Sequence, residues 1–208
     1  MKLLLIRHGQ SQADLLEVHE GRADFPLTEL GIEQATKLAN HIAAHYKIEA
    51  IITSPLQRAY QTADIIREYC PCELITVEHL MEYNNGVLAG MSRKEALIKY
   101  PLPEGGRPMH IAIEGGESQL QFRYRMEYVW QSILHNYGHL QQIAIVAHGG
   151  TLQHLLNVLL GKTLEQQCFF DTGDTGLHVI ELRDGKKYVS CLNSQAHLTS
   201  FSGCSNTR

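Results

Sequence analysis

The chain has 208 residues, a formal net charge of −4 and a composition that is 44% hydrophobic and 19% charged. That length is enough for one sizeable core with an inserted subdomain, and the composition is that of an ordinary globular protein. The slightly acidic balance argues against a general nucleic-acid-binding protein, which would carry a basic face, and no stretch approaches the roughly 20 apolar residues of a membrane-spanning helix.

The first predicted element is a buried strand that ends at an arginine and a histidine. An aliphatic run from Leu3 to Ile6 is followed directly by Arg7, His8 and Gly9. A short apolar run bounded by polar residues and glycine is typical of a buried strand. Ligands of open α/β sheets bind at the carboxyl ends of the strands. We therefore expect Arg7 to hold a phosphate beside His8 as a nucleophile.

A helix, a strand and a second helix are predicted next. Thr28 is the expected N-cap of a helix that continues to about residue 46, and residues 48–53 have the apolar character of a strand. Ser54 is the predicted N-cap of the following helix, with Pro55 at its first position, and that helix ends near residue 69.

Residues 84–117 differ in composition from the rest of the chain. They follow a predicted third strand over 74–77 and are rich in glycine and proline, with one short helix predicted over 92–100. We interpret this segment as a cap over the sheet, within a single domain that spans residues 1–208.

The second half of the chain continues the alternation of helices and strands. A helix over 119–137, a strand over 142–147 and a helix over 151–160 are predicted, and an Asp-Gly turn at 184–185 joins two strands of a closing hairpin. This alternation predicts an α/β fold, a three-layer sandwich with a mostly parallel central sheet and helices on both faces.

Five residues that can handle phosphate follow the carboxyl ends of four predicted strands. They are Arg7 and His8 after the first strand, Arg58 in the first turn of the helix after the second, Glu82 after the third and His148 after the fourth. Because the carboxyl ends of parallel strands share one face of a sheet, we expect these side chains to surround one small cavity.

Phosphoryl transfer suits this set of residue types. Arginine binds phosphate oxygens with a flat, permanently charged fork, and a neutral imidazole can attack phosphorus. The arginines should depress the pKa of His8, and a backbone carbonyl on one ring nitrogen would aim the other. His148 would donate to the phosphoryl oxygens, and Glu82 would protonate the leaving alkoxide and then activate water. This scheme requires no metal, because arginines and histidines supply the positive charge.

Several stretches, in this order, resemble the histidine phosphatase superfamily with its phosphoglycerate-mutase-like fold: residues 7–11, 24–35, 54–63, 80–90, 115–118 and 148–150. The resemblance implies His8 as the nucleophile and Glu82 as the general acid. It also implies a phosphate site of Arg7, Arg58, His148 and Gly149, no cofactor, and a small phosphorylated metabolite as substrate. The predicted substrate pocket consists of Gln10, Ser11, Asp14, Glu20, Gly21, Arg107 and His110.

Three positions depart from the pattern of this family. Asp14 stands where the family often has asparagine, Glu20 precedes Gly21 where it often has glutamine, and Leu88 stands where a large aromatic residue is common. If the two carboxylates face the pocket, they disfavour additional phosphates or carboxylates on the substrate. Alternatively, Asp14 caps a turn and Glu20 points to water.

The main alternative to a phosphatase is a phosphoglycerate mutase, which needs a longer insert with additional basic groups to keep water from the phosphohistidine. The segment here is short and its basic residues are offset by acidic ones, which favours hydrolysis. A non-catalytic phosphate-binding module is a further alternative. The stretch from Gly9 to Ala13 lacks the last glycine of a serine-hydrolase elbow, so we interpret Ser11 as a turn residue or pocket neighbour.

No metal site is predicted. His41 and His45 have the i, i+4 spacing of a zinc motif but lack its glutamate, and turn capping accounts better for Asp171, Asp174 and His178 than a metal does. The five cysteines fit neither zinc nor redox spacing, which indicates reduced thiols in a cytoplasmic protein. The sequence leaves open whether the protein is a monomer or a homodimer.

Overall fold

The structure is a computed structural model that describes residues 1–199. The end of the predicted 1–208 domain, which includes Cys204, lies outside the described residues. Within residues 1–199, six strands form one sheet in the order β3-β2-β4-β1-β5-β6. The strands are β1 (Lys2–Arg7), β2 (Ala50–Thr53), β3 (Glu73–Thr76), β4 (Gln142–Ala147), β5 (Leu177–Arg183) and β6 (Lys186–Ser194).

The sheet is parallel over its first four strands and antiparallel at one edge. Strand β4 pairs in parallel with both β1 and β2, and β2 pairs in parallel with β3. The hairpin β5–β6 adds to β1 in antiparallel orientation. Its turn residues Asp184 and Gly185 have φ angles of 52° and 69°, as a two-residue hairpin turn requires. The predicted mostly parallel sheet and its closing hairpin are confirmed.

Helices cover both faces of this sheet, in the predicted three layers. They are α1 (Gln12–Leu16), α2 (Glu29–His45), α3 (Gln57–Tyr69), α4 (Arg93–Lys99), α5 (Gln119–Tyr137) and α6 (Gly149–Leu159). None of the helices in the described part of the chain is long and apolar enough to cross a membrane.

The aliphatic run of β1 is continuous because both of its faces are buried. Leu3 and Leu5 belong to the core cluster that includes residues of α5 and α6, whereas Leu4 and Ile6 belong to the cluster that includes residues of α2 and α3. Successive side chains of a strand point to opposite faces. The four middle residues of β1 are therefore all apolar, as is typical of parallel sheets with helices on both sides.

The register of β1, β2 and β4 brings the three loops that follow these strands together at the carboxyl ends of the strands. Arg7 lies opposite Ala147, and Thr53 lies opposite Val146. The residues that follow these strands are thus neighbours in space although they are far apart in the chain. These ends are also where the strand order reverses, since β4 is inserted between β1 and β2, and such points form the ligand crevice of open α/β sheets.

The structure differs from the sequence predictions at three helix starts. The prediction that Ser54 caps a helix beginning at Pro55 is wrong: Leu56 is extended, with φ −63° and ψ 134°, and α3 begins at Gln57. Helix α6 begins at Gly149, two residues earlier than predicted. Helix α1 was not predicted, because it is only five residues long.

The segment 84–117 contains α4, a single 3-10 turn at Gly86–Leu88 and otherwise mostly irregular loop. It contacts the loop after α1 through backbone hydrogen bonds: His19 N–H donates to Met91 O (2.9 Å), and Gly90 N–H donates to His19 O (2.8 Å). These bonds join this segment to the loop that enters the site at Glu20.

Candidate active site

His8 is buried at the carboxyl end of β1, with both ring nitrogens in defined environments. Its side chain is 1% exposed, and Nδ1 lies 2.7 Å from the carbonyl oxygen of Gly9. Because a carbonyl can only accept, Nδ1 carries the proton. Nε2 carries the lone pair, which accepts a hydrogen bond from Nε–H of Arg58 at 3.3 Å. Burial, followed by the charges of Arg58 and Arg7, lowers the pKa of His8 well below its ordinary value. The ring is therefore neutral, as a nucleophile must be.

Arg58 is completely buried and its guanidinium group is fixed by the backbone. Its two terminal nitrogens donate to the carbonyl oxygens of Ala23 and Gly21, each at 2.9 Å. The Nε–H therefore points at His8. Gly21 has a φ of +50°, and a Cβ at that position would lie 1.7 Å from Oδ1 of Asn85. The positive φ and the close approach of the Asn85 side chain thus both favour glycine in the loop that holds Arg58.

Arg7 is partly exposed at the other side of His8. It donates to the carbonyl oxygen of Thr172 (2.6 Å) and forms an ion pair with Asp174 (3.3 Å). The carboxylate of Asp174 thus pairs with an arginine of the site and does not cap the turn as predicted. Sequence reasoning missed this role because the loop before β5 contributes no motif.

His148 lies beside His8, with ring centroids 5.1 Å apart, and it is fully buried. Its Nε2 is 2.8 Å from the hydroxyl of Ser54, while its Nδ1 has no partner within the described part of the chain. Burial, then the charge of Arg58, lowers the pKa of His148 well below its ordinary value. A buried polar nitrogen without a partner costs stability, and such a group is expected where a ligand binds. This contact of Ser54 with His148 also replaces the predicted capping of α3.

Glu82 is held at the N-terminus of α6, where it contacts Gly150, two residues after His148. Its carboxylate accepts hydrogen bonds from the backbone N–H groups of Tyr83 (2.7 Å) and Gly150 (2.9 Å) and from the hydroxyl of Thr151 (3.3 Å). A Cβ on Gly150 would lie 2.6 Å from Oε1 of Glu82. The close approach of this carboxylate to α6 therefore requires glycine at that position.

Arg125 of α5 supports the loop that carries Glu82. It donates to the carbonyl oxygens of His79 and Met81 (both 2.7 Å) and of Glu82 (3.2 Å), and it pairs with Glu117 at 2.5 Å. Sequence reasoning did not single out Arg125. It lies in the middle of a predicted amphipathic helix, where a basic residue indicates a solvated face.

Glu20 faces the site, and Asp14 does not contact it directly. Oε2 of Glu20 lies 3.8 Å from Nε2 of His8 and 3.5 Å from Nε of Arg58, and Oε1 accepts from the hydroxyl of Ser11. Asp14 accepts from the backbone N–H of Ser11 (2.9 Å) and completes the capping box of α1. Of the two predicted arrangements, the structure thus places one carboxylate in the pocket and uses the other as a cap.

The remaining predicted pocket residues are distributed between the site and the cap. Gln10 is tied to α2 through its backbone N–H, which donates to Gln34 Oε1 (2.8 Å). Gly149 is the first residue of α6 and lies close to Arg7. Arg107 lines a cavity of about 390 Å³ formed mostly by the segment 84–117 itself, which Leu88 also lines. His110 is exposed, and within residues 1–199 it forms no hydrogen bond or ion pair with the other residues of the site.

Two histidines, two arginines and two carboxylates thus converge within one small region. The neutral imidazole of His8 can attack an electrophile, the arginines can hold an anion next to it, and Glu82 can exchange a proton with a leaving group. Within residues 1–199, no group of three or more His, Cys, Asp or Glu side chains is arranged to hold a metal ion.

Comparison with known proteins gives consistent similarities over almost the whole chain. The model of the histidine phosphatase superfamily (branch 1) matches residues 3–195. Phosphoserine phosphatase 1 of Hydrogenobacter thermophilus is 28% identical over 206 residues, which cover 97% of this chain and 96% of that protein. A 2,3-bisphosphoglycerate-dependent phosphoglycerate mutase of Methylorubrum extorquens is 32% identical over 169 residues, with 77% and 80% covered. The crystal structure of the alpha-ribazole phosphatase from Shigella flexneri superimposes with a TM-score of 0.84 at 28% identity, covering 94% of this chain and 97% of that one.

Proposed function

The chain belongs to the histidine phosphatase superfamily (branch 1), and we propose that it hydrolyses phosphate monoesters through a covalent phosphohistidine on His8. The observation that carries this proposal is the state of His8. Its imidazole is buried and neutral, its Nδ1 proton is held by the carbonyl of Gly9, and its Nε2 lone pair faces Nε of Arg58, a proposed phosphate ligand.

In the first step, the lone pair of His8 Nε2 forms a bond to phosphorus and the bond from phosphorus to the ester oxygen breaks. Arg7 and Arg58 balance the charge on the phosphoryl oxygens, with Gly149 at the N-terminus of α6 beside them. The hydroxyl of Ser54 donates to Nε2 of His148 in this state. The proton of that ring is then on Nδ1, which is free to donate to the phosphoryl group.

Glu82 gives its proton to the leaving alkoxide in the first step. In the second step it accepts a proton from water as the water oxygen attacks phosphorus, and the N–P bond of His8 breaks to release inorganic phosphate. The three hydrogen bonds on this carboxylate keep it in one position for both transfers. No step in this scheme uses a metal ion.

The substrate is a small phosphorylated metabolite, with no nucleic acid involved, and the protein acts in the cytoplasm. The proposal for the compartment rests on the free thiols of Cys70, Cys72, Cys168 and Cys191. Phosphoserine phosphatase and alpha-ribazole phosphatase relatives support hydrolysis. The mutase relative makes phosphoglycerate mutase the second candidate.

The test is phosphate release from a panel of phosphate monoesters, with and without EDTA, together with an assay for interconversion of 3- and 2-phosphoglycerate. The proposal predicts release from several esters, unaffected by EDTA and abolished in His8→Ala. Interconversion with little release would establish a mutase, and binding of esters without turnover would establish a phosphate-binding module. Loss of release in EDTA would contradict the metal-independent scheme.

A further inference from the structure

Each arginine around the site already has a carboxylate partner. Arg58 faces Glu20 at 3.5 Å, Arg7 faces Asp174 at 3.3 Å, and Arg125 is paired with Glu117. The positive charge available to a ligand is therefore much smaller than the number of arginines suggests.

Glu20 is the carboxylate nearest the reacting nitrogen. Its Oε2 lies 3.8 Å from Nε2 of His8, and a phosphorus atom poised for attack must lie roughly 3–3.5 Å from that nitrogen. A bound phosphoryl group is consequently a near neighbour of this carboxylate. The side chain of Glu20 is only 19% exposed, so water screens this charge weakly.

The position of Glu20 is fixed from both sides. The hydroxyl of Ser11 donates to Oε1, and Ser11 is itself the buried N-cap of α1. The backbone of His19, the preceding residue, is bonded to Met91 and Gly90 in the segment 84–117. The loop backbone and the hydroxyl of Ser11 therefore hold the carboxylate of Glu20 towards His8 and Arg58.

We propose that Glu20 is a specificity-determining residue that selects phosphate monoesters with uncharged or cationic leaving groups and rejects those with a second anionic group near the phosphate. A second carboxylate or phosphate on the substrate would meet the charge of Glu20, whereas a substrate ammonium would be attracted to it. Arg107 does not offset this charge: it lines a cavity of the segment 84–117 together with Tyr83, and the charges that act on Glu20 are those of Arg58, Asp14 and Arg7.

This proposal deepens the proposed function and rests on it. It also gives a physical reason for hydrolysis over mutase activity, because a phosphoglycerate carries a carboxylate next to its phosphate. The rejected class therefore includes the mono- and bisphosphoglycerates.

The experiment compares kcat/KM for three matched esters: 3-phosphoglycerate, glycerol 1-phosphate and phosphoethanolamine. The first two differ by a carboxylate in place of a hydroxymethyl group. We expect Glu20→Gln to reduce the preference for glycerol 1-phosphate over 3-phosphoglycerate by about tenfold, which corresponds to one moderately screened charge pair. The preference for phosphoethanolamine over glycerol 1-phosphate should fall in the same variant. The control is Glu17→Gln, an equal change at an exposed position of the same loop, which should change neither ratio.

The pH dependence of the same ratio provides a second readout. Burial raises the pKa of Glu20, against the opposing effects of Arg58, the Ser11 hydrogen bond and Arg7, while Asp14 reinforces the rise; neutral His8 also faces it. As the pH falls through this raised pKa, the wild-type preference should shrink, because protonated Glu20 no longer repels the carboxylate. The carboxyl group of 3-phosphoglycerate stays ionised above about pH 4, so above that pH the change in the ratio reports on Glu20, and Glu20→Gln should remove the dependence.

Ratios that stay at the wild-type value in Glu20→Gln would overturn the specificity role while leaving the phosphatase proposal intact. Equal loss of turnover on all three esters would also overturn it, since Glu20 would then act in the chemistry. If the wild-type protein releases phosphate from none of these esters, nor from p-nitrophenyl phosphate, the proposed function itself fails.

Discussion

Replacing Arg125 should disturb Glu82, the proposed general acid, without removing any proposed phosphate ligand. The guanidinium group of Arg125 holds the loop before Glu82 through three backbone carbonyls and also pairs with Glu117. In Arg125→Met the carbonyl of His79 loses its donor, while those of Met81 and Glu82 keep only the hydroxyl of Thr151 and Nε of Arg22. Glu117 also loses its main partner. We therefore expect both a less stable protein and a less well positioned Glu82.

The size of the effect follows from burial. The side chains of Arg125 and Glu117 are 11% and 12% exposed, and removing one partner of a buried ion pair costs about 3–5 kcal/mol. The lower end applies here, because Asn84 N–H and Arg22 remain beside Glu117. A loss of about 3 kcal/mol should lower Tm by roughly 6–12 °C in a chain of this size. Arg125→Lys keeps the charge but not the planar guanidinium group, so this variant should lose less stability than Arg125→Met.

Thermal unfolding measured by circular dichroism and turnover of an alkyl and an aryl phosphate test this prediction. Turnover should fall more for the alkyl ester, because its poor leaving group depends on protonation by Glu82. Arg123→Met is the matched control: Arg123 lies on the same helix and pairs with Glu127, away from the site. If Arg125→Met and Arg123→Met lose the same stability and turn over both esters alike, the supporting role of Arg125 is refuted.

Three further predictions follow from single contacts. Glu82→Gln should slow esters with poor leaving groups more than activated aryl phosphates, and equal slowing of both would mean that Glu82 mainly positions phosphate or activates water. Gly21→Ala should cost about 1–2 kcal/mol of backbone strain and should also raise KM, because the loop holds Arg58. Gly185→Ala, at a φ of +69° in an open turn, should cost stability and leave KM unchanged. Equal KM values in the two variants would contradict this prediction. Burial lowers the pKa of His178 to about 4. The stability that its neutral form contributes is therefore complete above the unfolded pKa of about 6.5 and is lost as the pH falls towards 4, by roughly 2–3 kcal/mol. Denaturant unfolding at several pH values should show that the free energy of unfolding falls less steeply with acid in His178→Gln, and an unchanged slope would exclude this histidine as the source.

Strand ends explain why much of the site could be predicted from the sequence. The aliphatic run before His8 and the one before His148 mark buried strands, and parallel pairing brings their carboxyl ends together. The sequence immediately before each of these residues is therefore enough to place it at the end of a strand. Only the order of the strands had to be supplied by the fold.

Residues whose roles depend on tertiary contacts could not be predicted in this way. Arg125 acquires its carbonyl partners from a loop that is distant in the chain, and Asp174 acquires its partner from the end of β1. Nothing in their own sequence neighbourhood indicates those partners. The direction of Glu20 was left open for the same reason, since its loop is held by the segment 84–117. Helix α1 did have a local signal, the capping box formed by Ser11 and Asp14.

The most direct test of the account is to trap the phosphoenzyme. The protein is mixed with a phosphate monoester labelled in the phosphoryl group, quenched within milliseconds, and mapped for label after digestion. The account predicts an acid-labile phosphohistidine at His8, formed in a burst before steady-state release and absent from His8→Ala. Label or burst kinetics in His8→Ala, or a label that survives acid, would contradict it.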